Sequence, residues 1–174
     1  MIIRAARAAD AEALCEIANR VIRDTLITFA SAEKTPVQLR AMIADKGEDY
    51  LVAELDGQVV GHAYYGDFRA GSGYRFTAEH TIQLSLAAQG RGIGRALLRA
   101  LEQRAVMAGL HVLVAGISSA NPGAVDFHAA LGFTEVGRLP EVGHKKGQWL
   151  DTVLMQKIMP QAGIPHPDSS DKQG

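Results

Sequence analysis

Residues 89–94 read Gln-Gly-Arg-Gly-Ile-Gly, a spacing of glycines that suits a phosphate-binding loop. They follow an apolar stretch at 81–86 and open a long amphipathic run, so the predicted layout is a strand, a glycine loop and a helix N-terminus. Glycines let successive main-chain N–H groups approach one point, and the start of a helix adds partial positive charge there. We therefore expect this loop to bind a phosphate or a pyrophosphate.

The residues around the glycines narrow the class of ligand. A Walker A loop ends in Gly-Lys-Ser/Thr, whereas this chain has Gly94-Arg95-Ala96. A dinucleotide-binding loop needs a third glycine at position 95 and an acidic residue about twenty positions later, and the next predicted strand, 111–117, has none at its end. The pattern Gln-x-x-Gly-x-Gly instead resembles the acetyl-CoA pyrophosphate loop of the GNAT acetyltransferase superfamily. A glycine turn that only caps the helix is the alternative explanation.

This resemblance implies a set of residues that bind acetyl-CoA. Main-chain groups before the loop would bind the pantetheine arm. Main-chain contacts tolerate a change of side chain, such as Gln83 at a position where relatives usually have an aromatic residue. Asn121 would contact the pantetheine, although a helix cap alone would also explain it. The residues assigned to the cofactor are Ile82, Gln83, Leu84, Gln89, Gly90, Arg91, Gly92, Ile93, Gly94, Arg95 and Asn121.

Glu79, on the strand that leads into the glycine loop, is a candidate general base. An amine attacks a thioester only when it is neutral, because an ammonium group has no lone pair. An amine with a pKa near 10 is neutral in about one molecule per thousand at pH 7, a cost of about 4 kcal/mol that a positioned base can offset. The adjacent His80 should point to the opposite face of the sheet. An exposed carboxylate, or an ion-pair partner of Arg75, is the alternative role for Glu79.

The segment 74–84, Tyr-Arg-Phe-Thr-Ala-Glu-His-Thr-Ile-Gln-Leu, resembles one GNAT branch, the phosphinothricin and methionine sulfoximine or sulfone N-acetyltransferases. The segments 111–117, 131–133 and 142–151 agree with it as well. In that branch the glutamate matching Glu79 is the proposed base, acting directly or through water, and the residue matching Arg75 contacts substrate. A guanidinium group there could bind a carboxylate or sulfone-like oxygens in bidentate fashion.

The resemblance and the residue types together give the remaining site predictions. The substrate-binding candidates are Phe29, Arg69, Ser72, Gly73, Tyr74, Arg75 and Trp149, although core packing would also explain Phe29 and Trp149. His128, the second catalytic candidate, matches a position where many GNAT enzymes place a tyrosine near the departing sulfur. It could protonate the thiolate, but a packed helix histidine explains it too. The other histidines lack metal-binding spacing, so we predict no metal.

Composition limits the class of partner. The 18 basic and 19 acidic residues give a net charge of −1, which provides no basic field for nucleic acid or an anionic membrane. The single cysteine, Cys15, excludes an internal disulfide, and it is expected to be a small buried residue of the first helix. No apolar run reaches the roughly 18 residues of a membrane span. We expect a cytoplasmic protein that acts on a small molecule.

The elements that position these residues alternate as in a mixed α/β domain. Strands are predicted at 2–6, 51–54, 59–65, 77–84, 111–117, 133–139 and 148–158, and helices start near positions 10, 36, 93 and 122. The resemblance implies a GNAT fold, with a mixed central sheet of about seven strands flanked by about four helices, over residues 1–158. Residues 159–174 are expected to form a disordered tail.

Taken together, the residues and the resemblance predict an N-acetyltransferase that acts by direct attack in a ternary complex. The acceptor would be the α-amino group of a small amino acid analogue: methionine sulfone or sulfoximine, with phosphinothricin second because Leu150 replaces the histidine of herbicide-resistance relatives. The alternatives are acetylation of another amine (a peptide N-terminus, a polyamine or an antibiotic) and a non-catalytic acyl-CoA sensor. The resemblance also implies a homodimer with the substrate pocket near the subunit boundary.

Overall fold

Strands and helices alternate along the chain in the predicted order. The structure, a computed structural model, describes residues 1–160. Within them lie seven strands and four α-helices: β1 (Ile2–Ala5), α1 (Ala11–Asp24), α2 (Pro36–Lys46), β2 (Tyr50–Leu55), β3 (Gln58–Asp67), β4 (Thr77–Leu84), α3 (Ile93–Met107), β5 (Val112–Ser118), α4 (Pro122–Ala129), β6 (Thr134–Lys145) and β7 (Gln148–Ile158). The predicted mixed sheet of seven strands flanked by four helices is confirmed.

The seven strands form a single sheet in the order β1-β2-β3-β4-β5-β7-β6. All neighbouring strands are antiparallel except β4 and β5, which are parallel. The parallel pairing is short and joins Thr77–Glu79 only to Val112–Val114. Both strands continue beyond it, β4 to Leu84 and β5 to Ser118, so they separate after Glu79 and leave an opening in the middle of the sheet.

Alternating side chains of β2 show how the sheet divides the interior into two cores. Tyr50 and Val52 pack with α1 and α2, whereas Leu51 and Ala53 pack in the larger core with α3. Since side chains along a strand alternate between faces, helices must cover both sides of the sheet. On β4, Gln83 bonds to His62 on the α1 and α2 face, and His80 bonds to α4 on the other face. Glu79 therefore shares the α1 and α2 face, opposite His80 as predicted.

Two polar residues that precede helices, Asp10 and Asn121, make no capping hydrogen bond with their side chains. Asp10 precedes α1, but its carboxylate accepts hydrogen bonds from the Arg4 guanidinium at 2.8 and 2.9 Å and from the Arg7 N–H at 2.7 Å. Asn121 stands at the N-cap position of α4, yet its side chain makes no capping hydrogen bond and only its carbonyl accepts from the Ala124 N–H. For Asp10 the reason is the Arg4 guanidinium, because a hydrogen bond to a cation is stronger for a carboxylate than one to a helix N–H group.

The C-terminal hairpin and the end of the fold extend further than predicted. Positions 140–145, expected in a loop, belong to β6, where the register shifts between Leu139 and Gly143 before pairing resumes. Such a bulge lets a strand continue through a proline and an irregular turn. Met159, which was predicted to belong to the tail, is 3% exposed, and its N–H donates a hydrogen bond to the His111 carbonyl. The fold therefore includes this residue. The tail beyond, 161–174, lies outside the described residues.

Candidate active site

A deep cleft occupies the opening between β4 and β5. Its walls come from β4, from the glycine loop, from β5 and α4, and from the segment between α1 and α2. Its volume of about 1700 Å³ exceeds the roughly 300–1000 Å³ of an ordinary small-molecule pocket, so a long ligand and a second molecule fit together. Beyond Glu79 the facing edges of β4 and β5 do not pair, which leaves main-chain groups available to an extended ligand.

The glycine loop forms an open cradle of main-chain N–H groups at one end of the cleft. Gly90 and Gly92 have φ values of +70° and +74°, a conformation that side chains rarely adopt, and a Cβ built on either would meet nothing within 4 Å. Gly92 is the N-cap of α3, and the first intrahelical bond of that helix runs from the Ala96 N–H to its carbonyl. The N–H groups of residues 93–95 therefore remain free for a ligand. This arrangement fits a pyrophosphate.

Glu79 lies where β4 and β5 part. It forms the last pair of the parallel register, with Val114, and its side chain lies across Gly116 of β5, where an added Cβ would stand 2.7 Å from the Glu79 Oε1. Within residues 1–160 the carboxylate forms no hydrogen bond or ion pair. Burial raises its pKa above the ordinary value of 4.5. A carboxylate with a raised pKa and a free oxygen suits a general base.

Gln83 is connected to a buried polar chain on the α1 and α2 face. Its Oε1 lies 3.1 Å from the His62 Nε2, and the His62 Nδ1 lies 3.0 Å from the Tyr50 hydroxyl. Burial lowers the pKa of His62 to about 4, so the ring is neutral at pH 7 and bridges the two polar groups. The side chain of Gln83 is therefore hydrogen-bonded to His62, and its main-chain groups are the ones available to a ligand in the cleft.

His128 and His80 form a buried pair on the other face. The His128 Nδ1 lies 2.6 Å from the Ala124 carbonyl, so we assign its proton to Nδ1, and the His128 Nε2 then accepts from the His80 Nε2–H at 3.2 Å. Burial lowers the pKa of His128 and that of His80, the latter to about 3. Both rings are neutral at pH 7, and proton donation by His128 to a thiolate would require the pair to rearrange.

Comparison with known proteins places the chain in a family. Residues 3–154 match the family model described as "Acetyltransferase (GNAT) domain". The chain belongs to the GNAT acetyltransferase family. This membership confirms the predicted fold class and enzyme class, an acetyl-CoA-dependent N-acetyltransferase.

Three relatives of this GNAT enzyme show which branch it resembles. The L-methionine sulfoximine/L-methionine sulfone acetyltransferase of Salmonella typhimurium strain LT2 is 38% identical, over 95% of this chain and 98% of the relative. The L-amino acid N-acyltransferase MnaT of Escherichia coli K12 is 40% identical, over 90% and 92%. The structure of a phosphinothricin acetyltransferase from Sinorhizobium meliloti in complex with acetyl-CoA has a TM-score of 0.86 and 33% identity, covering 97% of this chain and 96% of that one.

Most of the residues predicted to bind the cofactor line the cleft of this GNAT enzyme. Those in its wall, together with the two catalytic candidates, are Glu79, Ile82, Gln83, Leu84, Gln89, Gly90, Gly92, Gly94, Arg95, Asn121 and His128. Arg91 is exposed beside the loop, and the side chain of Ile93 is buried in the core, so only the main chain of Ile93 faces the cradle. The residues present thus fit acetyl-CoA, which supplies the thioester-bound acetyl group.

The predicted substrate-binding residues lie outside the cleft of the single chain. Phe29 packs over Gly143 on β6, and Trp149 is 65% exposed beside His144. Arg75 lies over the Phe76 ring at 4.3 Å. Arg69, Ser72, Gly73 and Tyr74 sit in the exposed segment between β3 and β4. These assignments stay predictions, because none of these residues lines the cleft of the single chain.

Three residues in or near the cleft make contacts that were not predicted from the sequence. Gly116 interrupts the buried run of β5, and a glycine inside a strand is a signal of close approach by another group. Ser118 ends that strand, and its hydroxyl is buried against the segment between α1 and α2. Lys145 is 6% exposed, which nothing in its sequence context indicates.

Two further predictions concern a metal site and a membrane span. Across residues 1–160, no group of three or more His, Cys, Asp or Glu side chains is arranged to hold a metal ion, and the absence of a metal stays a prediction. None of the helices in this part of the chain has the length and hydrophobicity required to span a membrane.

Proposed function

We propose that this GNAT enzyme transfers the acetyl group of acetyl-CoA to the α-amino group of a small amino acid analogue. Methionine sulfone and methionine sulfoximine are the proposed acceptors, with phosphinothricin second. The names of the relatives support this choice, since they act on the same class of molecule. The proposed reaction is a direct attack in a ternary complex, with Glu79 as general base.

One observation carries this proposal: the position and state of Glu79. Its carboxylate lies over Gly116 at the vertex of the opening, the point where a ligand running along β4 from the glycine loop would end. Burial raises its pKa, which makes the carboxylate a stronger proton acceptor than an exposed one. A cleft that only bound acyl-CoA would have no need for a partly buried carboxylate without a partner at this point.

In the proposed reaction Glu79 accepts a proton from the acceptor's ammonium group, directly or through water. The freed nitrogen lone pair forms the N–C bond to the acetyl carbon, and the C–S bond breaks with its electrons going to sulfur. The nitrogen then loses its second proton to water, and the thiolate leaves without obligatory protonation because a CoA thiol has a pKa of roughly 8–9. Cys15 is buried in α1 among core residues, so no acyl-cysteine step is proposed.

The acceptor is tested by following CoA thiol release with methionine sulfone, methionine sulfoximine, phosphinothricin, methionine, spermidine and a peptide as separate substrates. We expect release with the sulfone and sulfoximine. Arg75→Ala should raise the acceptor KM roughly tenfold or more, since a bidentate contact to a carboxylate or sulfone is lost. Arg99→Ala, at an exposed site on α3, is the matched control. Turnover of spermidine or peptide alone would assign a different acceptor.

We also propose a homodimer in which each subunit completes the acceptor pocket of the other. The exposure of Tyr74 at 44%, Phe76 at 40%, Val142 at 56% and Trp149 at 65% supports it, because an interface would cover large apolar side chains that the single chain leaves in water. Light scattering at micromolar concentration should give twice the 18.6 kDa chain mass. A monomer mass that persists with acetyl-CoA bound would contradict the dimer.

A further inference from the structure

Lys145, near the end of β6, is a buried cation without an anionic partner. The residue is 6% exposed, and within residues 1–160 it forms no ion pair. Its Nζ donates a hydrogen bond of 2.8 Å to the Thr28 carbonyl, and burial lowers its pKa. Burying an amine in this way is costly, and an apolar residue would fill the same volume more cheaply. The contact with Thr28 is the feature that a lysine provides and an apolar residue would not.

Ser118, at the end of β5, makes a second contact of the same kind. It is 4% exposed, and its Oγ donates a hydrogen bond of 2.7 Å to the Leu26 carbonyl. Leu26 and Thr28 are two residues apart in the segment between α1 and α2, which contains no helix or strand. Two buried side chains from two strands therefore hold neighbouring carbonyls of one irregular segment.

The segment held in this way forms part of the cleft wall. Thr25, Ile27 and Thr28 line the cleft, and α1, which precedes them, covers the face of the sheet that carries Glu79. The two carbonyl contacts come from β5 and β6, on one side of the opening, whereas the glycine loop follows β4 on the other side. The contacts thus hold a part of the wall that is separate from the phosphate cradle.

We propose that Lys145 and Ser118 are positioning residues that fix residues 25–28 as the wall against which the acceptor binds. The inference rests on the proposed function, because it assigns the acceptor to the Glu79 side of the cleft. Neither side chain lines the acceptor space where Glu79 stands, so both act through the main chain of the segment. Loss of either contact should impair use of the acceptor and leave cofactor binding intact.

The first test compares Lys145→Met with Lys146→Met, a control at the exposed neighbouring lysine. Lys145→Met should raise the acceptor KM roughly tenfold, with a smaller change in kcat, because the wall is displaced but the base remains. The acetyl-CoA Kd, measured by calorimetry, should stay within about twofold of the wild-type value. An unchanged acceptor KM in a folded Lys145→Met protein would overturn the proposal.

Ser118 provides an independent pair of variants. Ser118→Ala should raise the acceptor KM, and Ser118→Thr, which keeps the hydroxyl on a strand position, should restore it. This pair decides the question if Lys145→Met fails to fold. A folded Ser118→Ala protein with the wild-type acceptor KM would remove Ser118 from the role.

Hydrogen exchange of the acetyl-CoA complex separates this inference from the proposed function. Amides of residues 25–30 should exchange roughly tenfold faster in Lys145→Met than in Lys146→Met, whichever acceptor the enzyme uses. If no acceptor in the panel is acetylated, the proposed function fails while faster exchange still upholds the positioning role. Equal exchange in the two variants would overturn the positioning role itself.

Discussion

Replacing Glu79 by glutamine is expected to lower kcat about 10²- to 10³-fold while leaving acetyl-CoA affinity unchanged. The amide has the shape of the carboxyl group but cannot accept the ammonium proton, and general-base catalysis contributes about 10²–10⁴ to rate. The side chain lies over Gly116 and forms no hydrogen bond within residues 1–160, so its loss should not disturb the fold. Glu135→Gln, at an exposed strand carboxylate paired with Arg138, is the matched control.

The pH dependence of the wild-type enzyme gives a second measurement of the same role. Burial raises the pKa of Glu79, and only the deprotonated form is a base, so kcat should fall as the pH is lowered through this raised pKa. This acidic limb should disappear in Glu79→Gln. A limb that persists in the variant, or a kcat within threefold of wild type, would assign proton transfer to another group or to an acceptor that needs no base.

The second large effect is expected at Gly116. In Gly116→Ala the new Cβ would stand 2.7 Å from the Glu79 Oε1 and 3.8 Å from the Thr152 Cγ2, so the carboxylate must move. Displacing a catalytic group by about 1 Å can cost roughly 10²-fold, and we expect kcat to fall between about 10- and 100-fold. Alanine is compatible with a strand, and thermal unfolding should change little. Gly137→Ala on β6, where an added Cβ meets nothing within 4 Å, is the control.

A double-variant cycle tests whether Gly116 acts through Glu79. If the alanine impairs only the placement of the base, then Glu79→Gln combined with Gly116→Ala should be about as slow as Glu79→Gln alone. Multiplying effects would instead show that Gly116 matters for another reason, such as close approach of the cofactor to β5. Steady-state kcat values of the four proteins are sufficient to distinguish the two results.

Much of the fold could be predicted because local signals agree with one another. Asp56-Gly57 between two apolar runs predicts the β2–β3 hairpin, which the structure confirms. The glycine loop followed by apolar residues every four positions predicts α3, whose Leu97 and Leu101 are fully buried. Where the prediction was wrong, as at positions 140–145, a bulge interrupts the alternation that identifies a strand.

The features of the site also divide into local ones, which were predicted, and long-range ones, which were not. The sequence and the family resemblance predicted a phosphate-binding loop and Glu79 as the candidate base, because the spacing of glycines and the identity of a carboxylate are local properties. Only the tertiary structure decided that β4 and β5 part at Glu79, that Gly116 lies beneath its carboxylate, and that Lys145 and Ser118 hold the segment between α1 and α2. These contacts join residues as distant in sequence as Thr28 and Lys145. Distant pairing of this kind depends on strand order and register, which no local pattern encodes.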